Sequence, residues 1–127
     1  MTFELFLFPG EYIVCQLPPD APVPAWGQGE NLLAFIRTPD ELTVVCEEVN
    51  IPTDVRAEPG WRVLKVAGPL EFSMVGVLAS LSGVLAQAGA SIFALSTFDT
   101  DYLLVKAAQL EAAIQALENA GHTVDHL

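Results

Sequence analysis

Trp61-Arg62-Val63-Leu64-Lys65-Val66-Ala67 is a short, mostly apolar run closed by Gly68-Pro69, and beyond that breaker the apolar residues change period. The run predicts a strand over Trp61–Ala67. Met74, Val77, Leu78, Leu81, Val84 and Leu85 then recur at the three-or-four spacing of an amphipathic helix, with Gly89 as its C-terminal stop. Ser91 to Thr97 and Tyr102 to Lys106 read as two strands joined by Phe98-Asp99-Thr100-Asp101, a polar turn whose aspartates can bond back to the backbone. Leu110, Ala113, Ile114 and Leu117 form a second helical stripe, Gly121 supplies a left-handed cap, and His122 to His126 is long enough for a last strand. The order is βαββαβ. It predicts an α+β, ferredoxin-like unit: an antiparallel sheet with two helices on one face.

Working outward toward the N-terminus, the helices disappear. Phe3 to Phe8 and Tyr12 to Leu17 are strand-like runs separated by Pro9-Gly10, and Leu32 to Arg37 and Leu42 to Val49 are separated by Thr38-Pro39-Asp40. Between the pairs lies Pro18-Pro19-Asp20-Ala21-Pro22-Val23-Pro24, whose prolines forbid a long helix. Residues Asn50 to Gly60 lack apolar periodicity and end in Pro59-Gly60, which places a boundary there. Two units in tandem follow: residues 1–59, a degenerate, mostly β copy of the plan, and residues 60–127, a complete copy. About 60 residues alone bury too little of their surface for comfort, so mutual cover of two small sheets is expected.

The 127 residues are 52% hydrophobic and 17% charged, which excludes disorder. The longest apolar runs, such as Met74 to Ala79, stop far short of the ~20 residues of a bilayer-spanning helix. Met1-Thr2-Phe3-Glu4 has no basic segment of the secretory kind, so the expected location is the cytoplasm. Sixteen acidic residues against five Lys and Arg give a net charge of −11, a field that disfavours nucleic acid and membrane surfaces as partners. Cys15 and Cys46 lie inside apolar runs and read as small hydrophobes. His122 and His126 share a strand face by period-two counting, but two histidines without a third ligand read as solvated, and no metal or cofactor is expected. Glu47-Glu48 reads as a solvated sheet edge.

The segments Trp61 to Val66, Gly68-Pro69-Leu70-Glu71-Phe72-Ser73, Gly76-Val77-Leu78-Ala79 and Ala90 to Tyr102 together resemble an ACT domain, strongly over about half of the chain. Phe35 to Cys46 extends the likeness into the first half, and Ser96-Thr97-Phe98-Asp99-Thr100-Asp101-Tyr102 is its most specific run. The likeness is to small tandem-ACT proteins related to the cytosolic arginine sensors of animals. It implies a regulatory, non-enzymatic protein that binds an amino acid between ACT units, and a homodimer is expected to complete a site that the shortened first half leaves open. By resemblance the ligand contacts are the loop Pro69, Leu70, Glu71, Phe72 and Ser73 and the run Ser96, Thr97, Phe98 and Asp99, with Asp101 beside it.

The residue chemistry agrees with that placement. Backbone N–H groups at a helix start can receive a carboxylate, while Glu71, Asp99 or Asp101 can accept an ammonium if the hairpin turn folds beside the loop. An acidic site tilts the preference toward a cationic side chain, as in arginine or lysine. Plainer roles stay open: Glu71 also fits a first-turn acid, Asp99 and Asp101 fit turn formers, and Phe98 fits a core or rim contact. A structural or partner-binding oligomerisation module without ligand is the competing function. An acylphosphatase-like hydrolase fits less well, because Glu71 stands where a phosphate site needs a cation.

Overall fold

Apolar alternation is realised in eight strands: β1 (Glu4–Leu7), β2 (Tyr12–Leu17), β3 (Ala34–Arg37), β4 (Leu42–Glu47), β5 (Arg56–Val66), β6 (Ile92–Ser96), β7 (Asp101–Lys106) and β8 (Thr123–His126). Two helices accompany them, α1 (Val77–Gln87) and α2 (Leu110–Asn119). The computed structural model describes residues 1–127. Its two compact units are Met1–Pro9 with Arg62–Leu127, which we call the helical unit, and Gly10–Trp61, the strand unit. Both follow the ferredoxin-like strand plan, with helices only in the helical unit. No helix is long and apolar enough to cross a membrane.

In the helical unit, β6 pairs with β7 and β7 with β5, both inner strands lying side by side as the plan requires. Strand β1 then inserts between β5 and β8. Leu5 sits opposite Val66 in the antiparallel direction and opposite Val124 in the parallel direction. The expected all-antiparallel sheet is corrected here, and the first strand goes with the second half of the chain rather than with residues 10–59. The reason is burial: Leu5 and Leu7 alternate onto the same face as Leu64 and Val66 and join one core. Strand β1 therefore fills the gap between the first and last strands of the βαββαβ order.

Both helices cover that face. Val77, Leu81 and Leu85 of α1 and Ala113 and Leu117 of α2 pack with Leu5, Leu64, Leu103 and Val105. Their ends follow the glycine signals. At the end of α1, Ala90 N–H donates to the Leu85 carbonyl and Gly89 N–H to that of Ala86, with Gly89 at φ 77. His122 N–H donates to Leu117 and Gly121 N–H to Glu118 in the same way, with Gly121 at φ 98. These are Schellman motifs, which require a left-handed residue at that position.

The strand unit orders its strands β3, β4, β2 and the first half of β5, all antiparallel. Where helices would stand there is none: residues 18–33 and 48–55 are turns and irregular chain. Arg37 holds the proline-rich segment, donating from its guanidinium to the carbonyls of Pro19 and Ala21. Ile13, Cys15, Leu42, Val44 and Cys46 form the core, with Trp26, Phe35 and Ile51 packed against it.

Three local expectations are corrected. Strand β5 begins at Arg56, not Trp61, and runs through Pro59-Gly60. Between Tyr12 opposite Trp61 and Val14 opposite Glu58 the register shifts by one, so the chain absorbs the breaker as a β-bulge with Gly60 at φ 80. Glu47 and Glu48 do not mark a free edge, since β4 lies between β3 and β2; the Glu48 carboxylate accepts from Gly60 N–H at 3.1 Å. His122 is buried rather than solvated, and its Nδ1 accepts from Phe3 N–H at 3.0 Å while the two rings stack. His126 is exposed.

Candidate functional site

The loop that leaves β5 is held against the β6–β7 turn. A Cβ on Gly68 would lie 3.0 Å from the Asp99 carbonyl oxygen and 3.1 Å from Thr100 Cβ, so the close approach depends on glycine. Two residues on, Leu70 N–H donates to that Asp99 carbonyl at 2.6 Å. The turn is itself braced. Thr97 N–H donates to the Thr100 carbonyl at 2.8 Å, and Thr100 N–H to Thr97 Oγ1 at 3.3 Å. Buried Thr100 then ties the turn to β5, its hydroxyl donating to the Val66 carbonyl at 2.5 Å. Ser96 and Asp101 face each other across the hairpin, with Ser96 Oγ donating to Asp101 Oδ1 at 2.6 Å.

Helix α1 starts later than the apolar stripe predicts. Gly76 caps it in a left-handed conformation at φ 84, and Ser80 N–H makes the first helical bond to Gly76 at 2.8 Å. Glu71 is therefore neither cap nor first-turn acid; its carbonyl accepts from Met74 N–H at 3.0 Å within the loop. The start of α1 has no side-chain cap and no acid in its first turn. Its leading N–H groups keep their partial positive charge available to a ligand.

These segments enclose a hollow of ≈ 350 Å³, within the range of about 300–1,000 Å³ common for small-molecule sites. Leu70, Glu71, Phe72, Ser96, Thr97, Phe98, Asp99 and Asp101 all line it, whereas Pro69 and Ser73 do not. Sequence reasoning missed Thr100, Met74 and the stretch Gly76 to Ala79, which also line it. The signal for Gly76 was a glycine inside the apolar stripe, between Met74 and Val77; for Thr100 it was a lone hydroxyl between two aspartates. Three carboxylates and no Lys or Arg face the hollow. At its mouth Phe72 and Phe98 meet edge to face with centroids 4.8 Å apart, and they are 76% and 79% exposed.

A family profile described as the ACT domain matches residues 56–119, half of the chain. This chain belongs to the ACT-domain family. A second profile, described as an N-terminal domain, matches residues 10–54 of this chain, close to the strand unit. A crystal structure of protein Atu0741 from Agobacterium tumefaciens is 38% identical, with a TM-score of 0.93 over 100% of this chain and 95% of that one. The regulatory subunit of aspartate kinase from Thermus thermophilus, ligand-free, shares the fold at 18% identity, with a TM-score of 0.61 over 87% and 92% of the two chains. The human and bovine cytosolic arginine sensor for mTORC1 subunit 1 is 36% identical over 59 residues, 46% of this chain. The match spans only 18% of the length of those curated relatives.

Proposed function

We propose that this ACT protein binds a free amino acid in the hollow between the α1 start and the β6–β7 turn, as a regulatory module without catalysis. The observation that carries the reading is one hollow holding an uncapped helix N-terminus together with Glu71, Asp99 and Asp101. An α-amino acid presents the matching pair of charges: its carboxylate meets the N–H groups of Val77 to Ala79, its ammonium the carboxylates. Asp101, already taken up with Ser96, orients the hairpin; Asp99 and Glu71, both exposed, are the more available acceptors.

With no Lys or Arg in the lining, a cationic side chain such as that of arginine or lysine is the favoured ligand class. The relatives named as arginine sensors support this choice. A phosphate-cleaving reaction would need a cation where Glu71 stands, which weighs against the hydrolase alternative. A homodimer through the outer strands β6 or β8 of the helical unit fits the reading and is tested by light scattering on the eluting protein.

The deciding experiment is a thermal-shift screen against the proteinogenic amino acids. A ligand at 100 times its Kd stabilises the native state by about 2.7 kcal/mol. Arginine or lysine is expected to raise Tm selectively, and Asp99→Asn to abolish the rise while leaving the unliganded Tm unchanged. A flat screen of the folded protein defeats the proposal in favour of the oligomerisation module, and selective binding of aspartate defeats the cationic preference.

A further inference from the structure

The mouth of the hollow has a second property that an amino-acid site does not require. Phe72 and Phe98, packed edge to face, are 76% and 79% exposed, and Met74 and Leu78, which line the same hollow, are exposed as well. Contiguous apolar surface of this kind, rimmed by charge, is the usual mark of an interaction surface. The rim here has one sign only: Glu71 and Asp99 are exposed, Asp101 is half-buried, and no cation lines the hollow.

We propose that this mouth docks a cationic segment of another protein, with Phe72 and Phe98 as apolar anchors and Glu71, Asp99 and Asp101 selecting its positive charges. Charge complementarity decides the occupant. A second copy bringing the same face would set its own three carboxylates against these, and it carries a net charge of −11 overall. A segment with apolar residues and lysines or arginines gains on both counts. Aromatic residues in such a position are typical anchors, because they bury a large area at small entropic cost.

The test uses the full chain without any amino acid, so that its outcome is independent of the ligand proposed above. The probe is a short labelled synthetic peptide with Leu at helical spacing and Lys elsewhere, compared with a peptide of the same pattern carrying Glu. Fluorescence anisotropy is expected to show binding of the Lys peptide alone, weakening as salt is raised. Phe72→Ser and Phe98→Ser are each expected to weaken it at least about tenfold, and Glu71→Gln with Asp99→Asn to flatten the salt dependence. Both rings are exposed, so these variants keep the parent Tm; the charge reversal Glu71→Lys serves as the check should a serine variant fail to fold. Equal affinity of the parent and the serine variants would reduce the effect to general acidity and overturn the proposal. So would equal binding of the Glu peptide, absence of binding, or a dimer of this chain that Phe98→Ser dissociates.

Discussion

Replacing Thr100 with Val separates the hydrogen bond that holds the β6–β7 turn from the packing around it. The two side chains have nearly the same shape, so the change removes the donor to the Val66 carbonyl and leaves the volume intact. Thr100 is only 5% exposed, so water cannot take over the donor's place. Leaving a buried carbonyl without its partner costs about 1–3 kcal/mol. In a chain of this size each kcal/mol moves Tm by about 4 °C, so a fall of about 4–12 °C is expected. Calorimetry of Thr100→Val and Thr100→Ser, side by side, checks it. The turn carries Ser96, Asp99 and Asp101, so the valine variant should also lose affinity for whichever amino acid the screen finds. Thr100→Ser retains the hydroxyl and should recover most of both losses. An unchanged Tm in Thr100→Val, or an equal fall in Thr100→Ser, would refute the assignment of the turn's stability to this bond.

Three other outcomes follow from the same structure. Burial, and then the positive α-amino group, hold the His122 imidazole below its ordinary value. The unfolded chain then takes up a proton near pH 6.5 that the native state refuses. Stability should be full above that pH and fall as the pH drops below it, a step that Tm measured against pH shows for the parent and not for His122→Gln. Leu81→Ala removes a fully buried side chain from under α1 and should cost about 2–5 kcal/mol in urea unfolding. Leu78→Ala, at a partly exposed site on the same helix, should cost far less. Cys15 and Cys46 are both buried, and burial first, then the neighbouring thiol, pushes Cys15 up to about 11. Neither should react with an aromatic disulfide reagent at neutral pH until the protein is unfolded; reaction at the native protein would contradict the packing of the strand unit.

The helical unit was legible because its signals are local. Apolar periods set α1 and α2, and Gly89 and Gly121 closed them with the motifs that left-handed residues permit. The strands Tyr12–Leu17 and Leu42–Glu47 carried enough β-branched and aromatic character to be read directly. The start of α1 was misjudged because Met74 continues the apolar spacing while Gly76 interrupts the backbone, and periodicity senses side chains rather than φ. The path of β5 through Pro59-Gly60 was hidden for a related reason: a bulge is defined by the partner strand, and nothing in residues 56–60 names Tyr12 and Val14.

By itself the sequence determined the order of strands and helices in the complete unit, how its helices end, and that a glycine-proline loop and an acidic turn lie within it. Those features depend on interactions within a few residues, which the local order of side chains specifies. Only the tertiary structure decided that β1 slots between β5 and β8, that His122 is a buried acceptor, and that Leu70 to Ala79 and Ser96 to Asp101 face one hollow. Each of these joins residues far apart in the chain. The partner is chosen by the burial and hydrogen bonding of the whole sheet, not by the residues that find themselves paired.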